Sequence, residues 1–226
     1  MPRVFRCVRT DGAVAIDGQM SEPAWQKAPV VSDFVAWDSA GKLRPAFSQT
    51  RVRAMWDDAH LYIGAELDDR DIYAMKTEPQ STTWDDDVFE VFLKPRRDLP
   101  HYYEFHVTPR NVTLELFIPR RRCGSIERFY FSSGMRSAVT LRGTLNDWRD
   151  IDEGWTVEMA IPFAAFRQTA GAPQVGDEWQ VAFCRYDYSY HLPPELPDGV
   201  ECSTSARLSV RSFHRHEEYD TLVFEE

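Results

Sequence analysis

The 226-residue chain has no run of about 18 apolar residues, so nothing in it reads as a membrane-spanning helix. Positive charge is in deficit, with 26 Lys and Arg against 36 Asp and Glu and a net charge of −10. A phosphate backbone would be repelled on average, which argues against a nucleic-acid partner. The one basic run, Arg120 to Arg122, follows Pro119 and reads as a solvated loop. Cysteine is scarce: Cys7, Cys123, Cys184 and Cys202 form no Cys-x-x-Cys pair, so a zinc site has no support. Cys184 and Cys202 are the nearest pair for a disulfide. No Gly-x-Ser-x-Gly elbow, phosphate loop or zinc-protease motif is present, which removes the signatures of several large enzyme classes. Arg3, Arg6 and Arg9 interrupt the first ten residues, so no signal peptide is visible; the expectation is an intracellular protein or a secreted one whose leader has been removed.

Long helical periodicity is also missing. Short strand-like runs recur instead, at Val4–Val8, Thr50–Trp56, Leu61–Leu67, Val88–Leu93, Tyr102–Thr108, Val112–Ile118, Ala138–Leu145, Trp155–Ile161, Trp179–Tyr186 and Leu222–Phe224. Turn formers such as Asp57-Asp58, Pro109-Arg110-Asn111 and Gly176-Asp177 separate them. Helix is limited to Glu22–Ala28, with Ser21 as cap and Pro23 at the first helical position, and to Phe163–Gln168. Many short strands and few helices predict one all-β domain over residues 1–226, a two-sheet antiparallel sandwich of the immunoglobulin or jelly-roll kind. The stretch with Pro193-Pro194, Pro197 and Gly199 is expected to be a long loop.

Alternation with period two places side chains on faces. Phe89, Val91 and Leu93 share one face of their strand, while Val88, Glu90 and Phe92 share the other. In the following run, Glu104 and His106 oppose Tyr103, Phe105 and Val107. If the two runs pair, Glu90, Glu104 and His106 form a polar patch, with Trp84 from an acidic loop as an aromatic wall. A charged residue inside a strand is costly if buried without a partner. Flat rings beside fixed hydrogen-bonding groups are what a sugar needs, because its edges are polar and its C–H faces apolar.

With these pieces in order, the chain resembles carbohydrate-binding module family 9, a β-sandwich found attached to xylanases and alone. The resemblance runs through Ile16-Asp17-Gly18, Glu22-Pro23-Ala24-Trp25, Met55-Trp56-Asp57-Asp58, Trp84 to Glu90, and Tyr102 to Val107. It continues through Gly154 to Pro162, Gly176 to Trp179, Phe213-His214 and Leu222 to Phe224. It implies non-catalytic binding of a mono- or oligosaccharide, with xylan among the polysaccharides, and a terminal sugar held between two aromatic side chains. The first aromatic falls on Trp84 and the second on Phe213; Glu90, Glu104 and His106 fall on hydroxyl-contacting positions, and a further polar contact falls near Cys184 or Arg185. Two departures are physical. A histidine cannot give the forked donation of the arginine it replaces, and Val210 stands where a polar side chain is expected. The four tryptophans Trp25, Trp56, Trp155 and Trp179 fall on core positions.

The family binds structural calcium, and acidic clusters offer oxygens for it. Asp68, Asp69 and Asp71 are the set expected here. Two further readings compete with sugar binding. Glu90 and Glu104 could be a carboxylate pair for glycoside hydrolysis. Met55, Met159 or His106 could ligate haem, as in similar sandwiches. His214 and His216, two apart, read as a surface pair.

Overall fold

The computed structural model describes residues 2–194, 196 and 199–226; Pro197, in the expected loop, lies outside them. In chain order the elements are β1 (Val4–Arg9), α1 (Pro23–Lys27), β2 (Val35–Trp37), β3 (Leu43–Pro45), β4 (Thr50–Trp56), β5 (His60–Asp68), β6 (Val88–Lys94), β7 (Tyr102–Val107), β8 (Thr113–Ile118), β9 (Arg136–Arg142), β10 (Gly154–Pro162), β11 (Glu178–Asp187), β12 (Glu201–Thr204) and β13 (Asp220–Glu225). Phe163–Phe166 forms a single 3-10 turn where helix was expected. Among the described residues no helix is long and apolar enough to cross a membrane.

Two layers face each other. The front layer runs β8–β7–β6–β11 and continues through β12, β2 and β3; the back layer runs β1–β4–β5–β10–β9. β11 joins them. One edge pairs with β6 over Gln180–Tyr186, while the other pairs with β13 in its first half and β12 in its second. The ladder is antiparallel except around β1, which lies parallel to both β13 and β4. Phe89, Val91, Leu93, Phe105 and Phe183 from the front meet Ile63, Ala65, Trp155, Val157 and Met159 from the back in the main core. The four expected core tryptophans are all buried.

The other face of β6 and β7, which carries Glu90, Glu104 and His106, is covered as well. Phe92, Tyr102, Leu114, Leu116, Ala182 and Cys184 form a second cluster, covered by Leu208, Phe213 and Tyr219 from the chain before β13. Half-buried Trp84 and Phe129 pack against the same cluster. This cover buries the polar row as well, which sets the character of the site below.

The N-terminal motif is held by one carboxylate. Glu158 in β10 is wholly buried and accepts the N–H groups of Asp17, Gly18 and Met20 and the indole N–H of Trp25. The ring of Trp25 then lies on β5 at Gly64, where an added Cβ would come within 3.1 Å of the indole and 2.5 Å of Met20. The helix cap is Glu22, not Ser21, and its side chain does not cap the helix. It accepts the Ala15 N–H instead.

Cys184 and Cys202 do not form a disulfide. In the β11–β12 register Cys184 faces Thr204 and Cys202 faces Tyr186, so the two are offset by two residues.

Candidate functional site

β6 and β7 pair in the register that puts Glu90 opposite His106, with Glu104 two residues along on the same face. The three side chains therefore meet, each no more than about 4% exposed. His106 Nδ1 lies 3.2 Å from Glu90 Oε1 and 2.9 Å from the Thr83 hydroxyl, and its Nε2 lies 3.6 Å from Glu104 Oε2. The row continues to His214, whose Nδ1 is 3.0 Å from Glu104 Oε1 and 2.9 Å from the Tyr102 hydroxyl. Carboxylates and imidazoles thus alternate from Glu90, deep under the cover, to His214, whose side chain is 47% exposed.

The electrostatics follow from that order. Burial pushes the Glu90 carboxyl up to about 7, and the Glu104 charge adds to it against the pull of the imidazoles. Burial acts the same way on Glu104, but hydrogen bonds from His106 and His214 outweigh it and hold that carboxyl below its ordinary value. Burial disfavours the His106 and His214 cations, yet neighbouring Glu90 and Glu104 raise both above the ordinary imidazole value. The shifts act together: the imidazoles favour the Glu104 anion, and the carboxylates favour the imidazole cations.

A cavity of about 530 Å³ opens where this row reaches the surface. Glu104, His214 and Tyr102 lie on its wall, with Phe129 beside them and Arg121 and Arg215 at its rim. Arg121 is fixed by a two-pronged pair with Glu217 and by the His214 carbonyl.

The expected aromatic pair is placed differently. Trp84 sits in a one-turn 3-10 helix, Thr83–Asp85, half-buried, with its carbonyl accepting the Tyr188 hydroxyl at 2.7 Å. Phe213 is only 5% exposed. Its ring packs on Tyr186, Phe92 and Trp37 with centroids 5.4–6.2 Å apart. Phe213 belongs to the covered cluster, and half-buried Trp84 packs against that cluster. Val210 lies at the cavity rim, 47% exposed.

Arg185 stands apart. It neighbours Cys184 on β11 and so points to the opposite face, where it is wholly buried. Its guanidinium is 2.9 Å from Asp69 Oδ2 and 3.1 Å from Asp187 Oδ2, and it donates to the Asp68 carbonyl. It has no surface from which to meet a sugar.

The acids expected to hold calcium also disperse. Asp68 pairs with Arg51 on the surface, and Asp71 accepts the Tyr190 N–H. Asp69 instead joins Asp87 and Asp187, with one oxygen from each lying within 4.8 Å of the others. Calcium takes six to eight oxygens, and here five of the six carboxylate oxygens already hold a hydrogen bond, Asp187 Oδ2 having only the Arg185 charge beside it. Asp87 accepts the Tyr73 and Tyr188 N–H groups, Asp187 accepts Ser189, and Asp69 accepts Asp71. The two remaining oxygens face Arg185. The donor set fits an arginine-centred network and does not fit a calcium cage. Its charge is incompletely balanced. Burial and the Asp187 charge push Asp69 up to about 7, against the pull of Arg185, and burial raises Asp87 well above the carboxylate range.

The competing readings fare as follows. Met55 lies under α1 and Met159 in the main core, on opposite faces of the back layer, so they cannot share one haem with His106. Glu90 and Glu104 have the His106 ring between them, and only Glu104 lines the cavity, so the two carboxylates do not flank it as a pair. His214 was the site residue that pattern reading missed. Its neighbour Phe213 was the visible signal, but its partner Glu104 lies 110 positions earlier in the chain.

Comparison with known proteins adds to this geometry. The sequence profile of the family described as "Carbohydrate family 9 binding domain-like" matches residues 16–187. An "Extracellular protein" of Arthroderma benhamiae is 26% identical over 178 residues, covering 75% of this chain and 78% of that one. A crystal structure of a proposed carbohydrate-binding protein from Bacteroides uniformis superposes with a TM-score of 0.76 at 15% identity, covering all of both chains. A family 9 carbohydrate-binding module from Caldicellulosiruptor kristjanssonii in complex with cellotriose superposes with a TM-score of 0.62 at 15% identity, covering 99% of this chain and 94% of that one. The same organism's module in complex with glucose gives 0.63 at 16%, covering 97% and 95%.

Proposed function

The chain belongs to the carbohydrate family 9 binding domain-like family, and from that premise we propose that it is a non-catalytic sugar binder whose ligand, a chain end, enters the cavity over Glu104. The observation that carries this reading is the alternating row Glu90–His106–Glu104–His214, buried along its length and open only where Glu104 and His214 line the cavity. There a fixed anion and a partly exposed imidazole offer an acceptor and a donor to vicinal hydroxyls, with the Phe129 ring beside them. Glu90 and His106 act behind the wall, holding Glu104 in place and charged. A sandwich between Trp84 and Phe213 would first require Phe213 to leave Phe92, Tyr186 and Trp37, whereas the cavity needs no such movement. The related modules hold glucose and cellotriose, so short neutral sugars are the first ligands to try.

Titration calorimetry with glucose, cellotriose and xylotriose tests the reading. We expect saturable heat for the unaltered protein and a loss of about tenfold or more in affinity for Glu104→Gln and His214→Ala, the scale of one charge-assisted hydrogen bond. No heat with any of the three sugars, or full affinity in both variants, rejects it.

A further inference from the structure

A second cleft shares no lining residue with the Glu104 cavity. It has a volume of about 760 Å³ and is walled by Tyr73, Met75, Trp148 and Tyr190. Its aromatic surface is unusual because it is not packed away: Trp148 is 56% exposed and Tyr190 71%. Their ring centroids are 5.2 Å apart, with planes inclined at 49°, so the two rings form a shallow angled floor.

The rings stand on anchored backbone. Asp71 accepts the Tyr190 N–H at 2.9 Å, and Asp187 accepts the next amide back, that of Ser189. On the opposite wall Asn146 grips Ala74 through both its N–H and its carbonyl, and the Asn146 N–H donates to Ile72. The segments carrying Trp148, Met75 and Tyr190 are thereby tied to the buried acidic network, and little ordering remains to be done on binding.

The chemistry of the cleft narrows its occupant. Asp71 is the one charged side chain among the described residues that line it, and the whole chain carries −10. An anionic ligand is disfavoured. Exposed indole and phenol faces beside a carboxylate, an amide and hydroxyls match the C–H faces and hydroxyl edges of a neutral pyranose. The cleft is also continuous with the aromatic edge at Trp84. The Tyr188 ring, which lines the cleft, lies 6.1 Å from Tyr73 and donates its hydroxyl to the Trp84 carbonyl.

We infer that Trp148 and Tyr190 form a second saccharide platform that takes a pyranose unit of a neutral polysaccharide, separately from the cavity over Glu104. This goes beyond the proposed function and shares with it only the ligand class. The cavity grips one short sugar; the platform lengthens the footprint along a polymer and gives two-point attachment.

The test separates the two sites. Affinity electrophoresis in gels containing hydroxyethylcellulose or neutral xylan reads polymer binding, and calorimetry with glucose reads the cavity. For Trp148→Ala/Tyr190→Ala we expect unchanged glucose binding and a loss of polymer affinity of about tenfold or more, the scale of removing stacked rings. Tyr190→Phe, which keeps the ring, should retain polymer binding. Glu104→Gln should show the reverse pattern, losing glucose and keeping most of the polymer retardation. Trp148 emission should shift on adding cellohexaose. Because both rings are largely exposed, the double variant should melt at the same temperature as the parent, which guards against misfolding. Polymer retardation that is identical in parent and double variant overturns the platform, as does an absence of retardation in the parent. Platform-dependent retardation without any glucose heat would sink the cavity reading alone.

Discussion

Glu90 is a carboxyl with almost no water around it, facing an imidazole across a strand pair. Its folded pKa of about 7 lies above the ordinary carboxylate value. The native protein therefore holds a proton there that the unfolded chain releases, and stability falls as pH rises through that window. His106 works in the same direction: its pKa is raised in the fold, so its contribution is whole below the ordinary imidazole value and fades above it. We expect the unfolding midpoint to drop between about pH 5 and pH 8, and Glu90→Gln to flatten part of that slope, by about 3 kcal/mol across the window at most. Parallel pH slopes for the two proteins in urea titrations would contradict the assignment. Much of this row could be read from sequence, because a period of two fixes which side chains share a face whatever lies above them. Burial could not be read that way. Glu90 and His106 are inaccessible only because residues more than 100 positions later fold over them. Arg185 shows the limit from the other side: an alignment loose by one residue moves a side chain to the opposite face of a strand.

The cover before β13 is the element that changes the meaning of the site. Leu208, Phe213 and Tyr219 drop onto the outer face of β6, β7, β8 and β11, and the Tyr219 hydroxyl ties back to the Phe213 carbonyl at 2.5 Å. Nothing in the spacing of this segment announced a lid, since it carries neither strand alternation nor helical period. β2, β3 and β12, with three or four residues each, were too short to stand out as well. Truncating the lid's anchor measures its strength. Phe213→Ala should cost about 3–5 kcal/mol in chemical denaturation, as expected for emptying a close-packed aromatic site. A cost under about 1 kcal/mol would mean that the segment is loosely held and that Phe213 is available to a ligand after all.

At the scale of the molecule, two sheets around a buried inter-sheet core follow from the many short alternating runs, and the sandwich was legible for that reason. Strand order was not, because pairing partners such as β6 and β11 are separated by about two fifths of the chain. Nor was the knot of charge that pins the inner ends of β5, β6 and β11 together, where Arg185 meets Asp69 and Asp187 beside Asp87. If that arginine and the raised Asp69 and Asp87 carboxyls leave no charge for a metal to balance, added calcium or EDTA should leave the melting temperature unmoved. Arg185→Met should destabilise by about 3–5 kcal/mol by stranding buried carboxylates. A calcium-dependent rise in melting temperature that disappears in Asp187→Asn would reverse the conclusion.

β1 lies between β13 and β4, its residues Val4 to Val8 matched in parallel with Thr221 to Glu225. During synthesis β1 must therefore wait for residues more than 200 positions later in the chain before its β13-facing edge is satisfied. Until then an unpaired strand edge stays open to whatever else can bind it. The back layer, whose strands all precede β13 in the chain, is thus the part most in need of shelter while the chain is still growing.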